Sequence, residues 1–270
     1  MSFRSASARF KPVRRLGQHF LVDRQVAGKL VGYADLTDRD CVLEVGAGWG
    51  YLTSLLAERA GKVVAVEVDS RLAAALRRRF SGNMKVEVVE GNVLKVELPS
   101  FNKVVSTPPY GISSKLIFLL IEKRFDLAVM VLQREVAERL VAVQGSGNYG
   151  RLSVMVGCRA NVEVLDVVPG HVFNPRPKVD SAIVRMSLRD RGTIVGMKVF
   201  TDLVRGLFTQ RRRKLRKVFL HYAELRWRDL AEELVRRMEL PDRRVYELSV
   251  DEFESLAGRL HSLLGELGVT

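Results

Sequence analysis

The chain has 270 residues, 47% of them hydrophobic, with a mean hydropathy of +0.02. That is enough apolar material for one large domain or a large domain with a small companion, and it excludes a low-complexity, unfolded chain. The formal net charge of +13 and pI of about 10.1 point to a polyanionic partner, nucleic acid before an acidic membrane surface.

The opening MSFRSASARFKPVRRLGQHF is basic but has no apolar centre of the kind a secretion signal needs. It shares arginine, serine and a lack of acids with organellar transit peptides, yet it is short and runs straight into the motif LGQHFLVD. No apolar run approaches the ~20 residues that cross a bilayer. A cytoplasmic protein with no membrane partner is expected. Residues 23–34 read as a helix. CVLEVGAGWG reads as a buried strand entering a glycine-rich turn, and YLTSLLAERA as the helix after it. KVVAVEVD is a second buried strand. SRLAAALRRRF is a second amphipathic helix starting at a serine cap, its three arginines at 77–79 read as a solvated face.

MKVEVVEGNV and NKVVSTPPY read as third and fourth strands, SSKLIFLLIEKR as a helix and DLAVMVLQRE as a fifth strand. Strands alternating with helices, each strand apolar nearly throughout, predict an α/β fold with a parallel sheet covered on both faces. RLSVMVGCRANVEVLDVVPG and SAIVRMSLRD then read as strands with no clear helix between them, which predicts an antiparallel addition at the sheet edge. From about residue 192 the pattern is helical. The expected division is therefore a domain over 1–190, with a basic arm at 1–22, and a small helical domain over 191–270. Cys41 and Cys158 lie in apolar strand-like runs outside any metal-type spacing, and the four histidines are scattered, so buried thiols, no disulfide and no metal are expected.

EVGAGWG places Gly46, Gly48 and Gly50 at alternate positions after the first strand. Glycines there permit positive φ and let a ligand approach the backbone. The spacing G-x-G-x-G differs from the G-x-G-x-x-G of dinucleotide folds. Glu67, ending the second strand, suits the hydroxyls of a ribose, in NAD or in S-adenosylmethionine (SAM) alike. Asn92, in the corner after the third strand, fits either an adenine amine or an ordinary turn. After the fourth strand, Pro108 and Pro109 cannot donate to a sheet ladder, so the chain turns a stiff corner that presents Tyr110.

The order of these features resembles SAM-dependent amino-group methyltransferases. More narrowly, the chain resembles the small-subunit rRNA adenine N6-dimethyltransferases. LGQHFLVD, VLEVGAGWGYLT, AVEVD, VLQREVAERL, FNPRPKVDSAIVR and LFTQRRRKLRKVF match that family's segments, in order and nearly end to end. The resemblance implies a Rossmann-like methyltransferase fold with SAM as cofactor. It implies that His19, Leu21, Gly46 and Gly48 contact SAM, that Glu67 binds its ribose, and that Asn92, usually aspartate in the family, sits against its adenine. It further implies that Thr107, Pro108, Pro109 and Tyr110 form the target-base site, with Thr107 also beside the cofactor.

The chemistry of that corner is legible. An exocyclic adenine nitrogen is a weak nucleophile whose two N–H bonds need acceptors, and the cofactor carries the activated methyl. Pro108 offers a carbonyl and Tyr110 a ring to stack on an unstacked base. Phe173 is the candidate opposite wall. No general base stands out. Where the family usually begins this loop with asparagine followed by leucine or isoleucine, the chain has Thr107 and Pro108, and a threonine hydroxyl is a shorter acceptor on a stiffer stem. Three outcomes are open: full activity with Thr107 and Pro108 as acceptors, activity reduced to one methyl, or lost catalysis with retained RNA binding; retained activity is the favoured one.

Two acid-free basic clusters suit phosphate contacts. One holds Arg4, Arg9, Lys11, Arg14 and Arg15. The other holds Arg205, Arg211, Arg212, Arg213, Lys214, Arg216 and Lys217. The resemblance implies two adjacent adenosines in a hairpin loop near the 3′ end of small-subunit rRNA, each dimethylated on a pre-ribosomal particle by a monomer. Competing readings are a non-catalytic RNA-binding assembly factor, to which Thr107 points, a large-subunit rRNA adenine methyltransferase, and a nicotinamide-dependent dehydrogenase, which the glycine spacing disfavours.

Overall fold

The computed structural model describes residues 13, 16–189 and 196–269. Arg4, Arg9, Lys11, Arg14 and Arg15 of the basic arm lie outside the described residues.

Two short strands pair first, β1 (Phe20–Leu21) and β8 (Phe173–Asn174), antiparallel, with Leu21 opposite Phe173. The main sheet has seven strands: β2 (Cys41–Val45), β3 (Lys62–Glu67), β4 (Val86–Glu90), β5 (Lys103–Ser106), β6 (Leu127–Gln133), β7 (Ala160–Val168) and β9 (Ser181–Leu188). Their order across the sheet is β4-β3-β2-β5-β6-β9-β7. β4, β3, β2, β5 and β6 are mutually parallel, and β9 joins β6 antiparallel. Val42, Leu43, Val63, Val64, Val104, Val105 and Val129 are wholly buried. This explains why these strands carry no polar alternation: helices cover both faces. The antiparallel addition expected at the sheet edge from SAIVRMSLRD and ANVEVLDVV is present: β9 joins β6 antiparallel and β7 forms that edge.

The strand order reverses between β2 and β5. Chain leaving β2 departs toward one edge and chain leaving β5 toward the other, so a crevice opens above their carboxyl ends. The glycine turn follows β2 and the proline corner follows β5, so the topology brings the two sequence features together.

One sequence expectation fails. RLSVMVGC, read as part of a strand, contains a helix over Arg151–Gly157, and β7 begins only at Ala160. Ser153 Oγ accepts the Gly150 N–H at 3.1 Å and donates to the Arg139 carbonyl at 2.6 Å, which nucleates the turn. Val154, Met155 and Val156 are all buried. A short apolar run buried all round has no periodicity to separate helix from strand.

The single cut expected near residue 190 is also too simple. The chain forms two compact units: one gathers the residues up to Ala137 with Asn161–Leu188, the other gathers Glu138–Ala160 with the chain from Arg189 onward. Within the second unit the Tyr149 hydroxyl donates to the Leu248 carbonyl at 2.9 Å, and Arg211 donates to the Tyr149 and Gly147 carbonyls at 2.7 and 2.9 Å. Those bonds tie the segment after Ala137 to the helices Met197–Leu207, Leu215–Trp227, Ala231–Arg237 and Val250–Glu266, whose core includes Phe200, Phe219 and Phe253. Among the described residues no helix is long and apolar enough to cross a membrane.

Candidate cofactor and target-base site

The crevice is built from several separate pieces of chain. After β2, Gly46, Gly48 and Gly50 have φ of +76°, +57° and +76°, which turns the chain tightly into the helix Tyr51–Arg59. A side chain would do more than strain this turn. A Cβ on Gly46 would lie 3.1 Å from Pro109 Cδ, and one on Gly48 would lie 2.9 Å from the Phe20 ring. The glycines therefore leave the backbone bare on the side facing the proline corner and the N-terminal motif.

β3 delivers Glu67, only 4% exposed. Its Oε2 accepts the Gly48 N–H and its Oε1 the Asp69 N–H, each at 2.9 Å. Burial pushes the carboxyl upward in pKa, and the N–H bonds from Asp69, Gly48 and Val68 oppose that push. Three N–H bonds leave the carboxylate acceptor capacity for a further donor. Asn92 lines the adjoining slot of about 150 Å³ together with Val68, Val93 and Ile112. Its Oδ1 already accepts the Leu94 N–H at 3.0 Å, which makes it an Asx-type turn residue as well. Both readings of Asn92 that the sequence left open are thus compatible: its oxygen shapes the turn and, having two lone pairs, can accept one further hydrogen bond.

The motif LGQHFLVD acts as a clasp. Gln18 accepts the Val13 N–H at 2.8 Å and reaches Asp69 at 3.4 Å. His19 Nδ1 donates to the Pro175 carbonyl at 2.7 Å, which fixes its tautomer, and its ring stacks on Tyr110 with centroids 5.4 Å apart. Phe20 lies against Gly48 and Trp49. Leu21 is buried opposite Phe173, and Asp23 caps the helix Arg24–Tyr33. His19 thus supports Tyr110 directly, a part that motif position alone did not convey.

β5 ends in the corner itself. The Pro109 carbonyl accepts the Ile112 N–H at 3.1 Å, closing a single tight turn over Tyr110–Ile112. The Pro108 carbonyl and the Thr107 hydroxyl bond to no described residue. Thr107, Pro108, Pro109, Tyr110 and Phe173 line one cleft with Gly46, Glu67 and His19. Tyr110 is half-buried, its hydroxyl 2.5 Å from Ser181 Oγ, and burial raises its pKa. Phe173 is 4% exposed, so it serves as cleft wall and core residue at once.

Sequence reading missed Glu44. It lies on β2, is 2% exposed, and accepts the Thr53 hydroxyl at 2.6 Å. Burial, which outweighs the Thr53 bond, pushes its carboxyl to about 8. It lines a recess beside Gly46, Leu21 and Thr107. A lone acid inside the apolar strand CVLEV was the available signal. Ser181, partner of Tyr110, gave no signal.

The family model described as ribosomal RNA adenine dimethylase matches residues 9–257. The chain belongs to that family. It is 40% identical over 255 residues to a probable ribosomal RNA small subunit methyltransferase A of Methanothermobacter thermautotrophicus, covering 93% of this chain and 92% of that one. It is also 40% identical over 244 residues to the protein so named in Thermococcus gammatolerans, covering 90% and 87%. Among solved structures, a dimethyladenosine transferase from Plasmodium falciparum superposes with a TM-score of 0.80 at 29% identity, over 93% of this chain and 98% of that one. The 23S rRNA methyltransferase ErmE superposes with a TM-score of 0.64 at 31% identity, over 89% and 99%.

SAM is the cofactor of this dimethylase family, and the residues present fit it. The glycine turn lines the cleft with bare backbone, Glu67 keeps acceptor capacity for ribose hydroxyls, and the slot beside Asn92 is lined largely by apolar side chains, Val45, Val66, Val68, Val93 and Ile112, as an adenine requires. Of the dimethylase's basic candidates in the C-terminal unit, Arg211 is committed to the Tyr149 and Gly147 carbonyls, and Lys214 pairs with Asp242 at 2.9 Å. Arg212 and Arg213 project from the same turn and are exposed.

Proposed function

We propose that the chain dimethylates N6 of two adjacent adenosines in a hairpin loop near the 3′ end of small-subunit rRNA, on a pre-ribosomal particle. The observation that carries the reading is the pair of unengaged acceptors, the Thr107 hydroxyl and the Pro108 carbonyl, set beside Tyr110 on a stiff corner that touches the glycine turn.

When bound, SAM supplies an activated methyl. The chain's own residues then have three tasks. Glu67, the glycine turn and Asn92 hold the cofactor in place. Tyr110, braced by His19 and Ser181, offers its ring to an unstacked adenine, with Phe173 behind. Thr107 and Pro108 accept the two amine protons, which orients the nitrogen lone pair for in-line attack and leaves the excess proton to pass to water. No His or Glu is needed as base. Arg212 and Arg213, with the basic arm, serve phosphate contacts in this reading, whereas Arg211 serves the fold of its own unit.

The small-subunit assignment is supported by the two relatives named for that subunit. The test is incubation of purified protein with methyl-labelled SAM and, in separate reactions, immature small subunits or large-subunit RNA, followed by nucleoside mass spectrometry. Dimethyladenosine at two adjacent positions is expected. Label in large-subunit RNA alone, or none at all while RNA is still bound, would replace this reading with one of its competitors.

A further inference from the structure

Beyond Tyr110 the cleft continues into an open groove of about 800 Å³, lined by His19, Tyr110, Gln133, Arg176, Lys178 and neighbouring backbone. No carboxylate lines it. Arg176 and Lys178 are exposed, and neither has a hydrogen-bond or ion-pair partner among the described residues.

That segment is held firmly. The His19 imidazole donates to the Pro175 carbonyl at 2.7 Å. Phe173 and Asn174 pair with Leu21 and Phe20. At the far end Asp180 Oδ1 accepts the Gly170 N–H at 3.2 Å and its carbonyl accepts the Arg134 N–H at 3.0 Å. Pro175 and Pro177 flank Arg176 and fix φ on either side. Two cations on a pinned, proline-stiffened ledge lose little freedom when they meet a fixed anion, which is what phosphate contacts require.

We propose that Arg176 and Lys178 are an RNA phosphate clamp that grips the backbone flanking the extruded adenosine. The clamp rests on the functional reading above for the identity of the base, but not for its own test. It differs from the basic turn at Arg212 and Arg213 in position and in task. A cation pair on the same rigid piece as Phe173 sets where the sugar–phosphate chain lies relative to Tyr110, and so which nucleotide enters.

The experiment is binding of a fluorescent hairpin RNA, with two adjacent loop adenosines, measured by anisotropy at a series of salt concentrations. Three proteins are compared: the parent, Arg176→Ala/Lys178→Ala, and a control, Arg39→Ala/Lys123→Ala. The control removes the same charge at the opposite, amino-terminal edge of the sheet. Loss of two phosphate contacts predicts a salt slope shallower by about 1.4, and affinity weaker by roughly tenfold or more near physiological salt. SAM affinity of the clamp variant is expected to be unchanged, which also reports that it folds. A slope and affinity equal to the parent's, or a loss shared equally by the control pair, overturns the clamp. Methyl transfer is not needed for this readout: a parent that binds the hairpin yet never methylates RNA refutes the functional reading while the slopes still decide the clamp.

Discussion

The Tyr110 hydroxyl and Ser181 Oγ lie 2.5 Å apart, so the aromatic ring of the proline corner is tied to the first residue of β9. Ser181 is wholly buried. Removing one partner therefore strands the other without water, which costs about 1–3 kcal/mol in such settings. Ser181→Ala is expected to raise KM for RNA and leave SAM affinity unchanged. Tyr110→Phe should do the same, and the double variant should cost less than the sum. Tyr110→Ala removes the ring itself and should lower kcat/KM by about 5- to 150-fold if stacking contributes its usual 1–3 kcal/mol. Steady-state kinetics on the two single and one double variant check this. Additive losses would mean that the contact does not hold the ring.

Thr107 separates shape from hydrogen bonding. Valine has nearly the same outline and lacks the hydroxyl. Thr107→Val should lower kcat by about 10²-fold, as loss of one preorganised polar contact does elsewhere, with SAM affinity within about twofold. Single-turnover methyl transfer is the direct measure. An unchanged rate would assign both amine protons to carbonyls.

The glycine turn and the proline corner are coupled through van der Waals contact. Gly46 has φ +76° and its missing Cβ would stand 3.1 Å from Pro109 Cδ. Gly46→Ala adds about 1–2 kcal/mol of backbone strain and pushes on the corner at once. SAM affinity should fall by roughly tenfold and kcat should fall with it, while circular dichroism stays that of the parent. A loss of affinity with kcat intact would show that the corner does not feel the turn.

Glu44 predicts a pH dependence. Its folded-state pKa of about 8 stands above the ordinary 4.5, because burial disfavours the charge. The folded protein then holds this proton through a range where the unfolded chain has released it. The side chain's destabilising effect is accordingly absent below the unfolded value, grows as pH rises, and levels off above the folded one. Glu44→Gln keeps an oxygen for the Thr53 hydroxyl and never ionises. Its melting temperature should match the parent's near pH 4.5 and exceed it near pH 9, in thermal scans across that range. Parallel curves would mean that Glu44 is solvated in the folded protein.

How much of this could be read from residues follows from where the information lies. The alternation of apolar strands with helices is a local signal, and it placed β2 to β6 and the antiparallel β9 correctly; the serine read as a cap, Ser70, is instead the first helical residue, and Asp69 caps that helix by accepting the Arg71 N–H at 3.1 Å. The glycine turn, Glu67 and the proline corner were legible because their backbone chemistry is unusual. The helix Arg151–Gly157 was not, since LSVMV is apolar except at Ser153, and only its burial and the Ser153 bonds to Gly150 and Arg139 decide the state. The grouping of Glu138–Ala160 with the C-terminal helices rests on Arg211 and Tyr149, partners 62 residues apart. The support of Tyr110 by His19 and Ser181 is likewise long-range, and no local pattern announces it. Arg211 illustrates the converse: a cluster read as uniformly RNA-facing contains one side chain that the fold has claimed.

The central claim is that the crevice above β2 and β5 holds SAM against Gly46, Glu67 and Asn92. Isothermal titration of the purified protein with SAM, and separately with NAD, tests it without assuming any RNA. One SAM site per chain is expected, lost in Glu67→Ala, with no heat from NAD. Absence of SAM binding, or SAM binding indifferent to Glu67→Ala, would contradict the account.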